Sequence, residues 1–210
     1  MNTTHEALAW RYATGSYNTA KKVSDEDINA IVAAGNLMPT AYGLQPFRII
    51  TISDEAIKAK LLEASYGQKH LVENSHLVII ATRTDIDEAM ITEYAARIET
   101  TRGLPAGTVD GYKAMMINDL TNRTEDARTD WAAKQAYLAL GGMLIEASVR
   151  GIDNHAAEGF LPDVYDEILG LKEKNLKTVV IMGLGYRTED DDAQHYGKVR
   201  VAPNDMHITL

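Results

Sequence analysis

The stretch Ala136-Tyr137-Leu138-Ala139-Leu140-Gly141-Gly142-Met143-Leu144-Ile145 is the strongest single constraint on how this chain can fold. It lies inside a helical candidate running from Glu125 to Arg150, and wound at 3.6 residues per turn it is apolar on every side. A helix of that kind must be covered all round, either in a core or across a subunit interface. Gly141 and Gly142 lower its helix propensity but leave room for another backbone to come close. The run is too short to span a bilayer. Gly151 stands where a cap is needed at the end of the helix.

The remaining elements follow from periodicity and punctuation. Ser24 with Asp25, Glu26 and Asp27 reads as a helix start, a hydroxyl cap followed by acids that complement the positive helix end. Ile28, Ile31 and Val32 continue it at helical spacing, and it should stop before Pro39. Between Pro39 and Pro46 lies a loop, Thr40-Ala41-Tyr42-Gly43-Leu44-Gln45, in which Gly43 can take a positive φ. Phe47 to Ile52, Leu77 to Ala81 and Val179 to Met182 read as buried strands. Asp54 to Ala64, Asp87 to Thr100, Val109 to Asn122 and Pro162 to Leu169 read as helices, the last with proline in its first turn and Gly170 beyond its end. Few strands separated by runs of helices do not fit regular βαβ alternation. The expectation is an α+β fold, a small central sheet packed among helices.

Composition narrows the function. With 210 residues and no internal repeat, the chain is expected to form one domain over 1–210. It has no cysteine, so disulfides, thiolate metal sites and a cysteine nucleophile are excluded. The opening Met1-Asn2-Thr3-Thr4-His5-Glu6 has neither a basic nor an apolar leader segment, which points to a soluble, cytoplasmic protein with no membrane partner. A formal net charge of -9 argues against nucleic-acid binding, which needs a basic face. Against that acidic background Lys198-Val199-Arg200 stands out. Residues i and i+2 of an extended segment point the same way, so Lys198 and Arg200 can converge on one small anion such as a phosphate.

Other motifs yield little. Gly183-Leu184-Gly185 follows a strand, but it lacks the third glycine of a dinucleotide fingerprint and runs into an acidic stretch, so it reads as a strand ending in a turn. Asp190, Asp191 and Asp192 with His195 are read as solvated loop acids, with no second cluster to complete a metal site. Ser16 and Ser65 have no nucleophile-elbow context. Arg11 closes the first helix, and Glu158-Gly159-Phe160 occupies a loop after the long helix.

Taken in order, seven pieces resemble the FMN-dependent nitroreductase family, in its oxygen-insensitive NAD(P)H nitroreductase branch. They are Arg11-Tyr12-Ala13-Thr14, the loop from Pro39 to Pro46, and Gly67-Gln68-Lys69-His70 leading to Asn74-Ser75-His76. Trp131-Ala132-Ala133-Lys134-Gln135, Glu158-Gly159-Phe160, Gly170-Leu171-Lys172-Glu173-Lys174 and Lys198-Val199-Arg200 complete the set. The resemblance implies a homodimer built on the long helix, with a C-terminal segment swapped onto the partner's sheet, a mixed central sheet, and two FMN sites shared between chains. Carried over by position, Arg11, Lys198 and Arg200 would hold the FMN phosphate, with Tyr12 and Ala13 along the ribityl chain. Pro39, Thr40, Ala41 and Gly43 would come from the partner chain and line the dimethylbenzene side. Gly67, Gln68 and His70 would read the pyrimidine edge, and Ala156, Ala157, Glu158 and Gly159 would pass the ring face, with the Glu158 N–H toward flavin N5. Ile117 and Tyr42 would border the substrate pocket.

The family usually carries Lys where this chain has Gly15, and Lys or Gln where it has His70, both beside the N1–C2=O edge. The implied activity is two-electron, ping-pong reduction of nitroaromatics and quinones, with NADH or NADPH as donor and no metal or catalytic side chain. The alternatives are a flavin-holding redox sensor or storage protein, and a superfamily reductase for enones, halogenated aromatics or free flavin.

Overall fold

The long helix forms as its sequence requires, and the rest of the chain is arranged about it. In the computed structural model, which describes residues 3–210, α6 spans Glu125–Val149. The Thr124 side chain accepts from the Ala127 N–H, and Glu125 and Asp126 follow in the first turn. The other helices are α1 (Thr4–Trp10), α2 (Asp25–Leu37), α3 (Glu55–Lys60), α4 (Glu88–Arg102), α5 (Asp110–Thr121), α7 (Pro162–Leu169) and α8 (Pro203–Met206). Met1 and Asn2, part of the opening segment considered above for a leader, lie outside the described residues.

The strands are β1 (Phe47–Ile52), β2 (His76–Arg83), β3 (Asp153–Ala157) and β4 (Leu176–Gly185), in the order β1-β2-β4-β3. Every neighbouring pair is antiparallel, so the sheet is not mixed as the resemblance implied. The reason is topological: β4 inserts between β2 and β3, the two strands that run the same way, and keeps them from pairing. Ile49 faces Ile80 across one ladder, and Met182 of β4 faces both Val78 and Ala156.

Alternation sends the strand side chains to two cores. Val78, Ile80, Val180, Met182 and Leu184 pack with Ile28 and Ile31 of α2 and with Ala136, Ala139, Leu140 and Met143 of α6. On the opposite face Leu77, Ile79 and Ile181 meet Leu61, Leu71, Phe160 and Tyr165. The α2–α6 contact is close because Gly142 has no side chain: a Cβ there would stand 2.7 Å from Met38 Sδ and 3.3 Å from the Ala34 carbonyl oxygen. Gly141, by contrast, meets nothing within 4 Å. Tyr137 and Leu138 are 38% and 44% exposed, so within one chain α6 is not covered all round.

Two elements differ from expectation. Between α6 and the 158–160 loop lies β3, a strand that was not expected, because its Asp-Asn-His-Ala-Ala sequence has no apolar run and becomes a strand by pairing with β4. The helix expected over 54–64 stops at Lys60; Glu63–Ser65 forms a separate 3-10 turn, and Leu61 and Ala64 turn into the second core. The loop after α2 is tighter than expected: Gly43 has φ 77°, and Tyr42 (φ 61°) and Gln45 (φ 48°) are also left-handed.

Gly183 and Gly185 belong to β4 itself, where they admit neighbours. A Cβ on Gly185 would lie 2.7 Å from the Tyr17 ring and 3.3 Å from the Ser75 nitrogen. Tyr17 is buried, and its hydroxyl donates to the Gly183 carbonyl at 3.1 Å, so the ring cannot retreat freely. Gly185→Ala is therefore expected to cost about 1–3 kcal/mol, read from the midpoint of urea denaturation.

Candidate functional site

The opening segment turns out of α1 at Arg11, whose backbone is extended (φ -67°, ψ 146°), and crosses the end of β3. Ala13 forms a parallel bridge to Asn154. Asn154 is fully buried, and its amide nitrogen donates to Ser148 Oγ at 3.0 Å and the Ile152 carbonyl at 3.2 Å. Its oxygen is thereby left to accept from Arg11 Nε at 2.9 Å. The Lys198 ammonium donates to the Arg11 carbonyl, which brings this tail residue to the opening segment, while the Arg200 guanidinium donates to the Val199 carbonyl at 2.7 Å. Burial, then Arg11, Arg200 and Arg187, pulls the Lys198 ammonium below its ordinary range. Mutual repulsion of that kind marks cations that converge on one place.

Two acids organise these cations. Asp153 accepts from Arg187 Nε at 2.7 Å and from the Arg187 backbone N–H at 2.8 Å. The Arg187 guanidinium lies 4.4 Å from the Trp10 ring centre and 4.5 Å from that of Tyr12, which stiffens the segment carrying Arg11. Asp191 was expected to be a solvated loop acid; it is instead buried and structural. Its Oδ2 accepts from the Tyr12 hydroxyl at 2.9 Å, the Gly15 N–H at 2.8 Å and the Ser16 N–H at 3.1 Å.

Next to this segment the residues from Gly67 to His70 meet the end of β3. Gln68 donates from its amide to the Ser65 carbonyl at 2.9 Å and the Gly159 carbonyl at 2.7 Å. Gly67, with φ 71°, meets nothing within 4 Å of a would-be Cβ. The His70 ring stacks on His155, with centres 4.3 Å apart. Ala156 and Ala157 end β3, and the Glu158 carboxylate accepts from the Tyr137 hydroxyl of α6 at 2.6 Å. Burial, then that carboxylate, pushes the Tyr137 phenol up to about 12.

The second set of expected residues sits elsewhere. Thr40 donates its backbone geometry to the loop after Pro39: the Gly43 N–H bonds to the Thr40 carbonyl at 2.9 Å, and the Ala41 N–H to Gln135 Oε1 of α6 at 2.8 Å. Tyr94 and Tyr112 donate their hydroxyls to the Tyr42 carbonyl at 2.7 and 3.1 Å and so hold the left-handed turn. Tyr42 in turn donates to Asp119 at 2.7 Å, and its ring packs with Ile117 in a small cluster around Met116 and Trp131. Among the described residues no hydrogen bond joins this set to the one around Arg11. Gln135 and Tyr137, which anchor the two sets, are two residues apart on α6 and so point roughly 200° apart. The loop after Pro39 and the Glu158 loop therefore meet that helix on opposite sides. Asn154, Asp153, Arg187, Asp191, Gln135 and Tyr137 were all missed by sequence reading, because each acts through a partner far away in the chain.

Residues 8–186 match the profile of the Nitroreductase family. A Staphylococcus epidermidis protein is 33% identical over 218 residues, covering 96% of this chain and 94% of its own length. A Bacillus subtilis protein is 35% identical over 197 residues, covering 88% and 89%. Both are provisionally named NAD(P)H nitroreductases. Among solved structures, a Bacillus subtilis nitroreductase, also a provisional name, superposes with a TM-score of 0.87 at 19% identity, over 98% of each chain. One from Exiguobacterium sibiricum, in complex with FMN, gives 0.85 at 20% identity, over 100% of this chain and 98% of that one. A gut-bacterial enone reductase gives 0.80 at 17% identity, over 100% and 99%. At these identities the structural likeness concerns the fold.

Asp191 offers a direct test of how the opening segment is held. Burial alone would raise its carboxyl, but the bonds from Tyr12, Gly15, Ser16 and Ala193 outweigh it and leave it below the ordinary 3.8. A carboxyl lowered on folding adds stability that is present above its unfolded value and is lost as pH falls through the folded one. Asp191→Ala is expected to cost about 1–3 kcal/mol at neutral pH. Its denaturation midpoint should also fall less steeply than that of the wild type between about pH 5 and pH 2.

Proposed function

The chain belongs to the nitroreductase family, and from that premise we propose that it is an FMN-dependent NAD(P)H oxidoreductase that reduces nitroaromatics and quinones by two-electron, ping-pong transfer. The observation that carries this reading is the contact of the Lys198 ammonium with the Arg11 carbonyl, with Arg200 near enough to act electrostatically on both cations, in a protein of net charge -9. The residues fit FMN. The cations offer a phosphate cradle at one end. At the other, His70 Nε2 is buried and without a partner among the described residues, which suits a polar ring edge.

FMN, when bound, supplies the hydride chemistry; the protein supplies position and electrostatics. Arg11, Lys198 and Arg200 would hold the phosphate, and Tyr12 and Ala13 would run beside the ribityl chain. Asp191, by binding the Gly15 and Ser16 N–H groups, keeps that segment from collapsing into the site. Gln68 and Tyr137 brace the loop of Glu158 and Gly159 from two sides, so that its backbone would be held in place beside a bound ring. Gly67 and His70 take the pyrimidine edge. No side chain has to act as a nucleophile.

The remaining contacts, from Pro39, Thr40, Ala41 and Gly43, come in this reading from the second chain of a homodimer, with Tyr42 and Ile117 bordering the acceptor pocket. Three features support the dimer. The first is the uncovered face of α6 at Tyr137, Leu138 and Gly141. The second is the β1 edge, flanked by a groove of about 430 Å³ along Ile50, Ile52, Leu169 and Leu176 and another of about 360 Å³ along Val32, Phe47 and Ile49. The third is the exposed tail, whose Val199, Val201, Ile208 and Leu210 have apolar side chains to bury. A swapped tail added to the partner's β1 edge would cover the last two together. The fold shared with an enone reductase makes activated alkenes a further acceptor class to assay.

The purified protein is expected to be yellow and dimeric, with FMN bound far more tightly than riboflavin. Arg200→Ala should weaken FMN by about 1.5–3 kcal/mol in fluorescence titration and leave riboflavin nearly unchanged. Equal losses for both would show that Arg200 does not act on the phosphate, and a flavin-loaded monomer in sedimentation would sink the shared site.

In steady-state assays NAD(P)H and a quinone or nitroaromatic should give parallel double-reciprocal lines. Intersecting lines would mean that donor and acceptor bind together, against a single shared face.

A further inference from the structure

His155, which stacks on His70, has no role in holding FMN, yet its surroundings are specific. Its Nδ1 lies 2.9 Å from the Thr14 carbonyl oxygen. A carbonyl only accepts, so that nitrogen carries hydrogen and Nε2 keeps the lone pair in the neutral ring. The other face of the ring is taken by His70, with the two planes 18° apart. Imidazoles stacked at 4.3 Å between their centres cannot both carry charge at modest cost, so the pair accommodates one proton.

We propose that His70 and His155 form a one-proton site that supplies positive charge beside the flavin's pyrimidine edge only when the flavin is reduced. The proposal rests on the FMN reading above. It follows from the two positions at which this chain has no fixed cation, Gly15 and His70. Negative charge collects near N1 of a reduced flavin, and an imidazole that charges on demand can meet it without weakening the oxidised state.

The groups facing His70 set its resting state. His155 faces it from β3, and Asp191 from the loop after β4. The Asp191 carboxylate is already engaged by Tyr12, Gly15 and Ser16, and the neighbouring Lys69 and Glu73 face each other at 3.9 Å. Burial, and then His155, holds the His70 ring below its ordinary value of 6.5 despite the pull of Asp191. His70 is thereby biased toward its neutral form until a new negative charge arrives. The balance is simple. NAD(P)H gives up a hydride, two electrons and one proton, and becomes NAD(P)+; a second proton leaves solvent and forms an N–H bond on the imidazole pair. On reoxidation that proton departs to solvent or to the acceptor.

The test counts protons. FMN-loaded protein is reduced electrochemically in weakly buffered solution near pH 7, and uptake is followed with an indicator dye. The wild type should take up about one proton more per flavin than His70→Gln. In the flavin-free protein the His70 titration followed by NMR should move upward in His155→Gln, since a like charge and a stacking partner have gone. Equal uptake by wild type and His70→Gln, with FMN bound in both, overturns the proton site while leaving the FMN assignment intact. An unmoved His70 titration in His155→Gln overturns the coupling of the pair. Failure of the wild type to bind FMN at all brings down the proposed function and this inference together, and is told apart by the absence of flavin absorbance.

Discussion

The placement of α6 across the sheet is the constraint on which the rest depends. Its alanine face and Gly142 let it lie close to α2 and over β2 and β4, which builds the larger core. The same helix carries Gln135 to the Pro39–Pro46 loop and Tyr137 to Glu158. Both loops of the candidate site are therefore referenced to one rigid element, but on opposite sides of it. In the proposed homodimer a second copy would present the opposite side. The face of α6 left open in one chain is where such a copy would fit.

The electrostatics of the site are organised from beneath by acids. In a chain of net charge -9, four cations gather around the opening segment. Asp153 fixes Arg187, and Asp191 ties the backbone at Gly15 and Ser16, so neither acid is free to neutralise Arg11, Lys198 or Arg200. The guanidinium of Arg11 is positioned by a neutral amide, Asn154, and so keeps its charge available. That division of labour allows an acidic protein to keep a local group of cations un-neutralised.

Much of the fold was legible because its cause is local. Ser24, Asp54, Asp87 and Thr124 accept from backbone N–H groups at the starts of α2, α3, α4 and α6, and Gly151 and Gly170 take the positive φ that helix ends require. The family was legible for a different reason: seven short motifs in a fixed order carry more information than any one of them. What sequence reading missed was β3, whose strand character comes from its neighbour, and the work done by Asp191, which three adjacent acids in a row concealed. Asn154, Arg187, Gln135 and Tyr137 were equally silent, since their partners are 143, 34, 94 and 21 positions away.

By itself, then, the sequence determined the helices apart from α8 and the end of α3, three of the four strands, the apolar run of α6 and the identity of the cations at Arg11, Lys198 and Arg200, because propensity, capping and side-chain chemistry are properties of neighbouring residues. Only the tertiary structure decided the strand order, the purely antiparallel pairing, the burial of Asp191 and the stacking of His70 on His155. Those depend on which distant segments displace water from one another when the chain closes, and no window of adjacent residues records that outcome.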